Sequence, residues 1–119
     1  MIERAEQLHR QFFQPGFATA TRANWEPPVD VFENERGLLI VVALPGVESR
    51  DVQISSEQEV LLVAGVRRLP EAALGTAIRR LEIPHGRFER RIRLPEARWQ
   101  LSGSTFLNGC LLLNLTKSA

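Results

Sequence analysis

The sequence predicts an all-β chain, a two-sheet immunoglobulin-like sandwich with a short helical tail at its N-terminus. Three observations carry this. Beyond Trp25, short runs of Val, Ile and Leu are broken every several residues by Pro, Gly or polar clusters, the pattern of a sandwich with seven or eight strands. Asn108-Gly109 sits between two apolar runs, and both residue types tolerate the positive φ of a two-residue hairpin turn. Ahead of Trp25 the apolar spacing changes to a helical one.

In the tail, Ile2, Ala5, Leu8 and Phe12 are interleaved with Glu3, Arg4, Glu6, Gln7 and Arg10, giving one amphipathic helix over residues 1–14. Pro15 and Gly16 end it, and the small polar stretch Thr19 to Asn24 reads as a connection. The expected division is an arm over 1–24, a folded domain over 25–117 and a vestigial C-terminus at 118–119. A helix this short is marginal alone, so its stripe of Ile2, Leu8, Phe12 and Phe13 needs an apolar surface.

The strands follow in order. Val29 to Glu33 is the first. Leu38 to Leu44 is apolar throughout, which predicts a central strand buried on both faces and stopped by Pro45-Gly46. In Asp51 to Ser55, Val52 and Ile54 alternate with Asp51, Gln53 and Ser55, predicting one face inward and one toward water. Val60 to Val66 comes next. Phe88 to Leu94 sets Phe88, Ile92 and Leu94 against Glu89, Arg91 and Arg93, and Pro95 stops it. Leu101 to Leu107 and Cys110 to Leu115 form the hairpin around Asn108-Gly109. The connection from Arg68 to His85 is too long for a passive hairpin loop. Its middle, Ala77 to Ile83, carries Ile78, Leu81 and Ile83, enough for a short strand without a partner in its own sheet, suited to pairing between chains.

Composition narrows function. The chain has 119 residues, with 15 Lys plus Arg against 14 Asp plus Glu, so it offers no broad field for nucleic acid or anionic lipid. Cys110 is the one cysteine. It cannot form an intrachain disulfide, and with no basic-then-apolar leader at the start the expected setting is a reducing cytoplasm. His9, His85 and Cys110 lie in separate segments without metal-ligand spacing. Cys110 opens the apolar run Leu111 to Leu113, which favours a packed residue over a nucleophile served by His85. Phosphate-binding glycine loops are absent. No catalytic residue, metal or cofactor is expected. Arg79, Arg80, Arg87, Arg91 and Arg93 are interspersed with Glu82 and Glu89, the composition of a solvated, ion-paired face. Arg90 falls on the side of Phe88 and Ile92, where a lone charge is costly, so a carboxylate partner within a dimer is expected.

From Trp25 to Lys117 the chain resembles the small heat-shock protein family, whose domain is the alpha-crystallin type of sandwich. The carrying pieces are Trp25-Glu26-Pro27 before Val29-Asp30-Val31; Ala43-Leu44-Pro45-Gly46-Val47; Leu62-Val63-Ala64-Gly65 with Arg67; Gly86-Arg87-Phe88-Glu89-Arg90 running to Leu94-Pro95; and Asn108-Gly109-Cys110-Leu111. The order and spacing match together, while Ser104 and Val66 depart from the usual Ala and Glu. The resemblance implies a chaperone that holds unfolding proteins without ATP, and a homodimer made by lending the loop strand, with Arg67, Ile78, Leu81, Ile83 and Arg90 at the dimer contact. In relatives a C-terminal Ile-x-Ile segment fills a groove between edge strands, which here corresponds to Val52, Ile54, Leu101 and Phe106. Ser118-Ala119 leaves no such extension, so large assemblies are not expected. For Ile2, Leu8, Phe12, Phe13 and Phe17 two readings stand, docking on their own domain or contact with unfolded clients. The alternatives to a holdase are a monomeric co-chaperone-like adaptor and a subunit that co-assembles with a longer paralogue. Neither nucleic acid nor membrane is an expected partner.

Overall fold

The computed structural model describes residues 23–118. The predicted tail helix, with Ile2, Leu8, Phe12, Phe13 and Phe17, lies outside them. Seven strands form: β1 (Val29–Glu33), β2 (Gly37–Ala43), β3 (Val52–Glu57), β4 (Val60–Arg67), β5 (Gly86–Arg93), β6 (Trp99–Leu107) and β7 (Cys110–Lys117). They make a four-stranded sheet in the order β1-β2-β7-β6 and a three-stranded sheet in the order β3-β4-β5, all antiparallel. The predicted all-β sandwich is the observed fold.

The core follows from period-two alternation. From β2, Leu38, Ile40 and Val42 face inward opposite Leu115, Leu113 and Leu111 of β7. From the other sheet come Val52, Ile54, Leu61, Val63, Phe88 and Ile92, all buried in the same cluster. Asn108 and Gly109 turn the β6-β7 hairpin at φ values of 52° and 77°, as the dipeptide predicts.

Three expectations change. The outward residues of β2, Leu39, Val41 and Ala43, are half-buried; the strand is central in its sheet, but only one of its faces lies in the core. Two of the polar residues expected in water are buried, since Asp51, in the 3-10 turn Ser49–Asp51 just before β3, and Gln53 on β3 are each only 9% exposed, while Ser55 is half-buried. At Asp51 the cause is visible: its carboxylate is held by an arginine, which removes the penalty that should keep it outside. Ala77 to Ile83 is not a strand in the single chain, because a strand needs a hydrogen-bonding neighbour and in one chain this segment has none among the described residues.

A short addition guards the outer edge of β5. Trp25 forms an isolated parallel bridge with Phe88, the Asn24 amide donates to the Arg87 carbonyl at 2.7 Å, and the Glu89 amide donates to the Trp25 carbonyl at 3.2 Å. The outer edges of β1, β3 and β6 have no such cover among the described residues.

Candidate functional site

The connection between β4 and β5 is fixed at both ends and loose between. It opens with a single 3-10 turn at Glu71–Ala73, reverses at Gly75 with φ 77°, and then runs without regular structure to Gly86. Leu74, Ile78, Leu81 and Ile83 are 74%, 59%, 45% and 53% exposed. Four large apolar side chains on one loop form an apolar arm of a kind that soluble surfaces seldom display without a partner. Its charges are paired locally or solvated, with Arg80 and Glu82 3.6 Å apart.

At the exit of the arm, Arg67 Nε donates to the Pro45 carbonyl at 2.7 Å and Arg67 Nη1 donates to the Pro84 carbonyl at 3.3 Å. At its entry, Arg68 holds Asp51 through two bonds, Nε to Oδ2 and Nη2 to Oδ1, each 3.1 Å. The Asp51 carboxylate, accepting both, raises the affinity of the Arg68 guanidinium for its proton above the ordinary range. Arg87 shifts the other way, lowered by burial that Glu89 partly offsets.

Arg90 is half-buried, and within the chain its Nη1 donates to the Pro27 carbonyl at 3.3 Å. The group it meets in its own chain is therefore a backbone oxygen beside the buried Pro27, which ties β5 to the segment leading into β1. Arg91 pairs with Glu89 at 3.0 Å on the solvent face, in keeping with an ion-paired surface.

The four groove residues are divided by depth. Val52 and Ile54 are 2% and 3% exposed and belong to the core, while Leu101 and Phe106 pack against that core half-buried. Their strands β3 and β6 are both sheet edges. β1, the remaining uncovered edge, displays Val31 and Phe32.

Among the described residues no group of three His, Cys, Asp or Glu could hold a metal ion. Cys110 is half-buried in β7 between Ala43 and Leu107, and His85 is exposed in the loop. No helix among the described residues is long and apolar enough to cross a membrane.

Sequence reasoning missed Asp51, Arg68, Pro45 and Pro84 as the frame of the arm. Backbone carbonyls leave no signal in a sequence, and simple alternation puts Asp51 in water. Val31, Phe32 and Leu74 were missed too, though an apolar residue on an edge strand or loop tip is a readable cue.

The model of the Hsp20/alpha crystallin family matches residues 30–119. The chain is 37% identical over 70 residues to a 17.3 kDa class II heat shock protein of Solanum peruvianum, a match covering 58% of this chain and 45% of that protein. It is 24% identical over 113 residues to small heat shock protein C2 of Rickettsia felis, covering 94% and 73%. Among solved structures, heat shock protein 16.0 of Schizosaccharomyces pombe superposes with a TM-score of 0.70 at 29% identity, over 79% of this chain and 88% of that one. Against several plant relatives the chain spans about half of the relative's length.

Proposed function

The chain belongs to the Hsp20/alpha crystallin family, and from that premise we propose that it is an ATP-independent holdase, a cytoplasmic chaperone that binds unfolding proteins through apolar surface and keeps them from aggregating. The observation that carries this reading is the loop arm with Leu74, Ile78, Leu81 and Ile83 exposed. Unfolded chains share one feature, exposed apolar groups, and an apolar surface recognises that feature without a sequence code. Binding lowers the free concentration of the unfolded form by mass action, so aggregation slows without chemical energy input. Under this reading the chain works without catalysis or cofactor.

The working unit is a homodimer in which the arm of one copy adds to the β1 edge of the other. The reading is supported by the uncovered β1 edge with Val31 and Phe32, by an arm that forms no strand from Ala77 to Ile83, and by the hazard that both features present if left open. Ile78, Leu81 and Ile83 then pack across the dimer. Clients take the tail residues Ile2, Leu8, Phe12, Phe13 and Phe17, and the edge groove of Val52, Ile54, Leu101 and Phe106 receives an apolar segment from a partner or a longer paralogue.

The test is light scattering from a heat-unfolding protein without ATP, with the full chain or a chain beginning at Trp25. Suppression lost on truncation supports client capture by the tail; suppression retained moves capture to the sandwich. No suppression at stoichiometric excess rejects the holdase and leaves an adaptor or a partner subunit.

A further inference from the structure

Adjacent residues at the end of β4 grip opposite ends of the arm. Arg68, at its entry, is bound by both carboxylate oxygens of Asp51, and the Asp51 side chain is 10% exposed. A carboxylate that buried anchors its partner, since release of the largely exposed Arg68 would leave the Asp51 charge desolvated and unpaired. Arg67 reaches to Pro84 at the exit and to Pro45 in the turn after β2. The receiving turn is shaped for it. Gly46 has φ 75°, which residues with side chains rarely adopt, and the place where a Cβ would stand lies 3.6 Å from Arg67 Nη2, an ordinary contact, so it is the turn and not the space that calls for glycine beside the guanidinium. Asp51 is backed in turn by Gly65, whose missing side chain lets the Asp51 carbonyl lie against β4.

We propose that Arg67 and the Asp51–Arg68 pair are positioning residues for self-association, a two-point clamp that aims the apolar arm at the second copy. This rests on the arm-exchange dimer proposed above. Without the clamp, a connection of this length sweeps many conformations, and all but a few must be given up when it docks; fixing both ends removes part of that cost before the copies meet. The planar guanidinium suits the task at Arg67 because it donates in two directions to two carbonyls, which a lysine ammonium on a flexible stem does poorly. Arg68 and Asp51 need charge and a fork, so Arg68→Lys keeps part of the function and Arg68→Gln loses it.

The experiment uses the full chain and the variants Arg67→Lys, Arg68→Gln and Arg68→Lys, none of which removes a buried side chain. Sedimentation velocity over a dilution series gives the dimer Kd. At a dilution where each protein is monomeric, trypsin cleavage after Arg79 and Arg80 is timed by mass spectrometry, alongside the thermal melt. The expected result is a Kd raised about tenfold by Arg67→Lys and by Arg68→Gln, faster cleavage confined to the sites after Arg79 and Arg80, a melt close to that of the parent for Arg67→Lys and a lower one for Arg68→Gln, whose Asp51 carboxylate loses its partner, and partial recovery of Kd and melt in Arg68→Lys. A parent that dimerises with variants that dimerise equally well overturns the clamp. So does a variant that melts early and is cut throughout the sandwich, because its role is then general stability. A parent that stays monomeric at every concentration overturns the dimer reading itself, and the cleavage rates then decide separately whether the arm is clamped.

Discussion

The Trp25 and Phe88 rings lie with centroids 5.3 Å apart, tilted by 56°, and Trp25 Nε1 donates to the Gly86 carbonyl at 3.1 Å. One side chain thus closes the side of the core at Phe88, which is fully buried, and satisfies the backbone where β5 begins. Trp25→Phe is expected to cost about 1 kcal/mol through loss of one hydrogen bond, and Trp25→Ala about 3 kcal/mol through lost packing. Denaturant melts of the two variants check the separation; equal losses would mean that the ring contact contributes nothing.

Two glycines should respond in opposite measure. A methyl group at Gly65 collides with the Asp51 carbonyl oxygen and stands 2.8 Å from Phe88 Cζ, so Gly65→Ala is expected to cost more than about 4 kcal/mol and to leave little folded protein. At Gly75 nothing lies within 4 Å, and only the φ of 77° resists a side chain. Gly75→Ala therefore costs about 1 kcal/mol. Soluble yield and melting temperature distinguish them.

Arg90 is bonded to the Pro27 carbonyl, so its removal acts first within the chain. Arg90→Gly is expected to lower stability by about 1.5–3 kcal/mol, the range for a hydrogen bond from a charged donor, and to loosen the dimer as the segment before β1 is released. Arg90→Lys recovers part of the loss. Melting and mass by sedimentation check both; unchanged values for Arg90→Gly remove Arg90 from the dimer contact.

Leu81 stands 45% exposed in the single chain. Leu81→Ser should leave the unfolding free energy within about 0.5 kcal/mol while weakening self-association by tenfold or more, since burying a leucine contributes about 1.5–3 kcal/mol. An unchanged dimer Kd would place the arm elsewhere.

Most strands were legible because they pack one face against a common core, and period-two alternation records that directly in Phe88, Ile92 and Leu94; β1, whose residues beyond Val29 are exposed, was legible from its β-branched and apolar content. Asn108-Gly109 was legible because its backbone requirement is local. What escaped depends on groups distant in sequence. Asp51 reads as a solvent-facing residue until Arg68 is placed 3.1 Å away, and nothing near Arg90 in sequence announces the Pro27 carbonyl, 63 residues earlier, that it meets within its own chain. Ala77 to Ile83 has strand-like content, but content alone does not make a ladder. The arm residues Ile78, Leu81 and Ile83 were singled out from sequence, whereas of the groups that hold the ends of the arm only Arg67 was.

The strand order also sets a timetable for a chain leaving the ribosome. β3, β4 and β5 pair with neighbours in sequence and can assemble as they emerge, but β2 finds its inner partner only in β7, with Gly37 opposite Thr116. Until that last strand arrives, the apolar face of Leu38, Ile40 and Val42 has no hydrogen-bonded neighbour on one side. From the emergence of β2 until that of β7 the newborn polypeptide therefore displays the kind of surface that invites aggregation, and over that interval it is itself in need of protection.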